Sequence, residues 1–240
     1  MRCRPLEAIA LHLFTTRQLE LSSPDRDQQL AESVGGREVV GLTQVHGNAV
    51  VVVRRGGPRP EGRPEADVLV SDDPVVAMAV RAADCVPLLL ADRATGAVAA
   101  VHAGWRGTAA RAAVAAVDAM TREFGSTPAN LVAAIGPSIG PCCYEVGSEL
   151  VDAFAAAGHE RHLIQRWFAT PPAARGSRET PALRLDVAGA NRDQLILAGV
   201  PEKDVHTSGL CTAMHLDVLT SYRAEKEKAG RIAGVIRARA

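Results

Sequence analysis

The chain has 240 residues, 47% of them hydrophobic, with 27 basic against 27 acidic side chains and a formal net charge of zero. That length can bury a substantial core, and the charge balance implies no basic face, so nucleic acid and anionic membranes are weak candidates as partners. No apolar run reaches the length of a membrane span, and Glu7 and His12 interrupt the N-terminal apolar stretch, so neither a transmembrane helix nor a signal peptide is expected.

Val39–Leu42 and Val50–Val53 read as strands on either side of the run Thr43-Gln44-Val45-His46-Gly47. Arg54–Pro64 is a loop rich in Gly, Pro and Arg. Val68–Val70, Val75–Val80, Leu88–Leu90 and Ala97–Val101 are apolar runs of strand length with little alternation, which predicts strands buried on both faces. A helix is predicted from Thr108, as N-cap, to Phe124, with Gly125 as its stop. Leu131–Ile135 is a strand, and Gly147–Ala157 a helix closed by Gly158. Leu163–Pro181 lacks a pattern, contains Pro171-Pro172 and reads as a long loop. Asp186–Ala198 is a helix with Asp186 as N-cap and Gly199 as stop, and Val205–Ser208 and Ile232–Ile236 are late strands. This order predicts one α+β domain, spanning 1–240, of mixed β-sheets flanked by helices.

Three short runs carry the chemistry. Thr43–Gly47 offers His46, Ala83-Asp84-Cys85-Val86-Pro87 offers Cys85, and Val101–Thr108 offers His102. Each falls at a strand end, where loops on a rigid frame carry function. Two His and one Cys are three protein ligands, the number a catalytic zinc takes when a fourth position stays open. Their separations exceed those of a zinc finger, so only the fold can assemble them. The donor set suits zinc or copper. Asp84 is a candidate for proton transfer or ligand orientation. In Gly104-Trp105-Arg106-Gly107-Thr108, a strand passes into a helix, so Arg106 with the amides of Gly107 and Thr108 is a candidate phosphate cradle. It is not a P-loop, which needs Gly-x4-Gly-Lys-Ser/Thr. Arg17 and Gln44 are candidate substrate contacts.

Blander assignments compete. A single buried His or Cys is usually structural, and a glycine-rich turn can be only a connection. Cys142 and Cys143 are candidate ligands or nucleophiles, but adjacent cysteines do not easily both reach one metal, and packing with turn geometry is the favoured reading. Five cysteines, an odd number, form no disulfide framework and suit reduced thiols in a cytoplasmic protein. His159 and His162 are expected in solvent, and His12 on a strand. His206 and His215 stand near Cys211 in sequence, with little support for a metal site there.

The combination of these runs with Ile135–Gly147, Leu185–Gly199, Cys211-Thr212, Ser221-Tyr222-Arg223 and Gly230-Arg231 resembles the YfiH-like laccase-domain family. Its members were once called multicopper polyphenol oxidases and are now regarded as zinc-dependent purine nucleoside phosphorylases. The resemblance covers most of the chain after residue 40. It implies mixed sheets with helices outside and a metal on His46, Cys85 and His102. It also implies phosphorolysis of adenosine, inosine, guanosine and methylthioadenosine, with adenosine deamination in the same pocket. Some bacterial members are described as peptidoglycan editing factors. Two segments depart from the family pattern: no Gly-Gly-Val-Ser follows Thr16-Arg17, and Thr220 stands where Phe usually precedes Ser-Tyr-Arg. Trinuclear copper chemistry needs paired His-X-His motifs, and the seven histidines include none.

The expected partners are a purine nucleoside and phosphate, with no nucleic acid or membrane, in a monomer or homodimer. A rival assignment is a cysteine hydrolase with Cys85 as nucleophile, His102 as base and His46 as partner. A non-catalytic, metal-dependent editing module is the other. The His-x-Glu and Pro-Cys-x-x-Cys signature of the cytidine deaminases is absent.

Overall fold

The computed structural model describes residues 1–19, 21–170 and 182–239. In chain order the elements are α1 (Arg4–Glu7), β1 (Ala10–Phe14), α2 (Arg26–Ser33), β2 (Glu38–Val40), β3 (Val50–Val53), β4 (Val68–Ser71), β5 (Val76–Ala82), β6 (Val86–Asp92), β7 (Val98–Ala103), α3 (Trp105–Ala109), α4 (Ala112–Phe124), β8 (Leu131–Ile135), α5 (Glu149–Ala156), α6 (Arg161–Trp167), β9 (Phe168–Ala169), β10 (Arg184–Leu185), α7 (Val187–Leu197), β11 (Val205–Thr207), α8 (Tyr222–Glu225) and β12 (Ile232–Ala238). The fold is α+β. A six-stranded mixed sheet runs β11-β8-β6-β7-β4-β3, a four-stranded mixed sheet runs β1-β12-β5-β2, and β9 pairs with β10.

The run of apolar residues in β6 is explained by two cores, since successive strand side chains point to opposite faces. Leu88 and Leu90 join Val68, Val70 and Val101 under α4 and α7, whereas Leu89 and Ala91 join Leu69, Val98 and Ala100 against the four-stranded sheet. All seven β6 residues are buried. The small Ala112, Ala113, Ala116 and Ala119 let α4 lie close on its sheet. The other face of the four-stranded sheet is covered by Leu30, Ala31 and Val34, on and just after α2. Among the described residues, no helix is long and apolar enough to cross a membrane.

Three expectations are corrected. The helix predicted from Thr108 is two helices, broken at Arg111, whose φ of 60° is left-handed. Gly104 is the N-cap of the first, so Thr108 lies inside α3 rather than at its start. Arg111 tolerates this turn because its guanidinium bonds the carbonyls of Ala157 and Gly158 at 2.8 Å, tying off the end of α5. Within the predicted loop Leu163–Pro181, residues 163–169 belong to α6 and β9, and residues 171–181 lie outside the described residues. That helix forms because Ile164 and Trp167 are buried, with Trp167 and Phe168 packed edge-on to Phe154. His159, expected in solvent, is buried in the same cluster, with Nε2 2.9 Å from the Ala109 carbonyl. His12 lies on β1 and His162 is exposed, as expected.

Candidate metal centre

Antiparallel register brings two of the runs together. Val86 pairs with Ala103 and Pro87 with His102, so Cys85, just before β6, faces the end of β7. The loop between β2 and β3 brings in His46, whose φ of 63° lies in the left-handed region. One ligand atom each from His46, Cys85 and His102 lies within 4.8 Å of the others. The two imidazole rings meet edge to face at 4.9 Å.

Asp67, immediately before β4, holds this cluster in place. It is fully buried, and its Oδ1 lies 2.8 Å from His102 Nδ1. The same carboxylate accepts the amides of Val45 at 3.2 Å, His46 at 3.0 Å and Gly47 at 2.6 Å. Such bonds support the uncommon φ of His46, a conformation that costs about 1–3 kcal/mol unless its surroundings fix it. Burial pushes the Asp67 carboxyl up, but hydrogen bonds from His102, Gly47 and His46 outweigh it and hold the group below the usual carboxylate range. An ionised Asp67 keeps the His102 proton on Nδ1, leaving Nε2 to face Cys85.

Burial also pushes the Cys85 thiol up, yet hydrogen bonds from His102 and His46 bring it down to about 6. Burial lowers His102, but Asp67 and Cys85 raise it to about 9. A thiolate and two imidazoles, one oriented by a carboxylate, form a donor set that fits a borderline metal. Gly104 completes the cradle: a Cβ there would lie 2.7 Å from Cys85 Sγ and 3.1 Å from His46 Cδ2. The described residues therefore fit the metal that the family resemblance implies.

A cleft of about 1570 Å³ opens over this cluster. Nine basic side chains line it, including Arg106, Arg223 and Arg231, with Asp84 the one acid among the described lining residues. Arg106 lies over the Trp105 ring at 4.4 Å, and Arg223 over the Tyr144 ring at 5.3 Å. Tyr144 faces the cleft, its phenol pushed up to about 12 by burial and by the nearby Cys85 charge.

The remaining sequence candidates divide. Arg17 and Arg106 line the cleft, Arg17 bonding Glu225 at 3.0 Å and the Leu216 carbonyl. Gln44 lines it too, but both ends of its amide bond the Arg81 backbone, at 2.7 and 2.8 Å, pinning the His46 loop to β5. The Asp84 carboxylate bonds the Thr212 hydroxyl and the Arg223 amide, each at 2.6 Å, and so fixes a late loop and the start of α8.

Gly107 and Thr108 do not line the cleft. Both are buried behind it, and the Thr108 amide already bonds the Gly104 carbonyl at 2.8 Å. The Thr108 hydroxyl donates to the same carbonyl at 2.9 Å and accepts from Asn191 Nδ2 at 2.8 Å, tying α3 to α7. A Cβ on Gly107 would lie 3.1 Å from the Gly47 carbonyl, so this glycine admits the His46 loop. Asp67 and Tyr144 were not among the sequence candidates. The available signal for Asp67 was an acid immediately before the apolar run Val68–Val70, and for Tyr144 the constrained run Ile135–Gly147 that contains it.

The family model described as multi-copper polyphenol oxidoreductase laccase matches residues 20–239. A purine nucleoside phosphorylase of Bacteroides thetaiotaomicron is 38% identical over 69% of this chain and 58% of its own length. Adenosine deaminase RL5, from an unknown prokaryotic organism, is 40% identical over 61% of this chain and 52% of its own. The chain thus spans less than two thirds of the length of these relatives. The crystal structure of YlmD from Geobacillus stearothermophilus superposes with a TM-score of 0.81 at 29% identity, covering 98% of this chain and 94% of that one.

Proposed function

The chain belongs to the multi-copper polyphenol oxidoreductase laccase family, and on that premise we propose that it is a zinc-dependent purine nucleoside phosphorylase. Its substrates are adenosine, inosine, guanosine and methylthioadenosine, and it deaminates adenosine in the same cleft. The observation that carries this proposal is the convergence of His46, Cys85 and His102 under a cation-lined cleft. A relative named purine nucleoside phosphorylase and another named adenosine deaminase support it.

His46, Cys85 and His102 would hold the zinc ion, which would supply Lewis-acid polarisation when bound. Asp67 keeps the proton on His102 Nδ1 and fixes the ring. Arg106, held over Trp105, and Arg223, held over Tyr144, neutralise the incoming phosphate. An oxygen of hydrogen phosphate bonds the anomeric carbon as the bond from that carbon to the purine nitrogen breaks; the nitrogen keeps the electron pair and takes up the proton that the phosphate loses, giving free base and ribose 1-phosphate. Tyr144 keeps its proton on Oη through the neutral range and can donate a hydrogen bond to the departing purine. Asp84 acts as a positioning residue, holding the backbone at Arg223.

The test is product analysis with adenosine and phosphate. Adenine with ribose 1-phosphate is expected, and inosine from the parallel deamination. Zinc-loaded protein that forms neither base nor inosine would remove the nucleoside assignment. One observation favours a second possibility: Cys85, His102 and Asp67 also form a thiol–imidazole–carboxylate chain. A strong chelator separates the two, because it stops metal-dependent turnover and spares a thiol nucleophile.

A further inference from the structure

A second sulfur cluster lies outside the cleft. Cys142 and Cys143 follow β8, and Cys211 lies on the loop after β11. Their three Sγ atoms lie within 4.8 Å of one another. Adjacent side chains on an extended strand would point to opposite faces. Here the amides of Cys143 and Tyr144 both bond back to the Gly140 carbonyl at 3.0 Å, so the chain curls and both sulfurs turn towards Cys211. The expectation that these cysteines only pack and turn does not include this convergence.

The frame around the sulfurs is built from two bridged segments. Ser138 pairs with Cys211, the Thr212 amide bonds the Ser138 carbonyl at 3.0 Å, and the Gly140 amide donates to Cys211 Sγ at 3.2 Å. A Cβ on Gly140 would come within 3.3 Å of both Cys142 Sγ and Cys211 Cβ, so the glycine keeps the approach close. Cys211 is buried, Cys143 half-buried and Cys142 exposed, which gives the cluster a floor and a path to solvent. None of the three lines the cleft above His46, Cys85 and His102.

We propose that Cys142, Cys143 and Cys211 form a separate site for a soft, thiophilic cation, Cu(I), held by three sulfurs. Thiolates without imidazole or carboxylate select Cu(I), zinc or iron–sulfur clusters. A structural zinc site wants four protein ligands, whereas three donors converge here among the described residues. On binding, each thiol gives up its proton to solvent and the sulfur lone pair goes to the metal, with no change of oxidation state. A redox disulfide would need two sulfurs and leave the placement of the third without a role.

The test uses the full chain carrying Cys85→Ala, which removes the sulfur of the cleft site. The reduced protein is titrated anaerobically with Cu(I) against a colorimetric Cu(I) chelator. One Cu(I) per chain is expected, with X-ray absorption giving sulfur alone in the first coordination sphere. Adding Cys142→Ser at the exposed position should weaken retention at least tenfold, with circular dichroism unchanged. The site is overturned if the chelator keeps all the Cu(I), or if Cys142→Ser holds it as tightly. Failure of the reduced protein to retain Cu(I), with a two-sulfur disulfide formed under peroxide, would overturn it in favour of a redox pair. None of these outcomes depends on the nucleoside assignment.

Discussion

Replacing Asp67 with Asn changes one oxygen to an amino group at the centre of the candidate site. Every partner of that buried carboxylate is a donor: His102 Nδ1 at 2.8 Å and the amides of Val45, His46 and Gly47 at 3.2, 3.0 and 2.6 Å. In either orientation the new NH2 group faces a donor, either the ring or the amides of Val45 and Gly47. A buried donor left unpaired costs about 1–3 kcal/mol, and a hydrogen bond to a charged group contributes about 1.5–3 kcal/mol. The two losses overlap, so the expected destabilisation is about 2–4 kcal/mol. The same change releases the His102 tautomer, and partners of this kind typically govern metal affinity by about 10–100-fold. Urea unfolding reads the first quantity, and zinc competition with a chromophoric chelator the second. Zinc affinity within about threefold of the parent, well below that range, would refute the orienting role given to Asp67.

Three further outcomes follow from the same geometry. Gly104→Ala, at a φ of −75° that any residue adopts, should keep its circular dichroism but lose zinc stoichiometry, because the methyl group meets Cys85 Sγ; full occupancy would contradict the cradle. Arg106→Ala should raise the phosphate KM by about 10–100-fold, the equivalent of one charge-assisted bond, while the adenosine KM moves less; an unchanged phosphate KM would remove Arg106 from the anion site. In metal-free protein the Cys85 thiolate fraction should rise with pH about a midpoint near 6, read as the rate of alkylation by iodoacetamide. His102→Gln removes the first of the two lowering hydrogen bonds and should move that midpoint upwards. A parent midpoint at the ordinary thiol value would show that the imidazoles do not act on Cys85.

The doubly buried sheet was legible because β6 carries an apolar residue at nearly every position, as a strand packed on both faces requires. Asp186 was legible as an N-cap because its role is local, the carboxylate accepting the Gly189 amide at 2.8 Å. His46, Cys85 and His102 stood out by donor type beside glycine and proline at strand ends, and register brings them together. The role of Asp67 depends on two non-local facts, the pairing of β4 with β7 and the return of the His46 loop, which no local pattern encodes. Gln44, Asp84 and Thr108 mark the opposite limit. Adjacency to a ligand places a residue near the site, but not the direction of its side chain, and these three turn towards the backbone at Arg81, Arg223 and Gly104. The helix Arg161–Trp167 escaped notice because it has no side-chain cap, and its order comes from burial against Phe154 rather than from its own periodicity.

The most direct measurement is ribose 1-phosphate formation from adenosine and phosphate while zinc is returned, in steps, to chelator-stripped protein whose thiol cluster carries Cys142→Ser. Activity should be absent without metal, rise linearly and level off at one zinc per chain, and Cys85→Ala should abolish the response. Undiminished turnover in metal-free protein, or an equal response to zinc in Cys85→Ala, would contradict a catalytic metal on His46, Cys85 and His102.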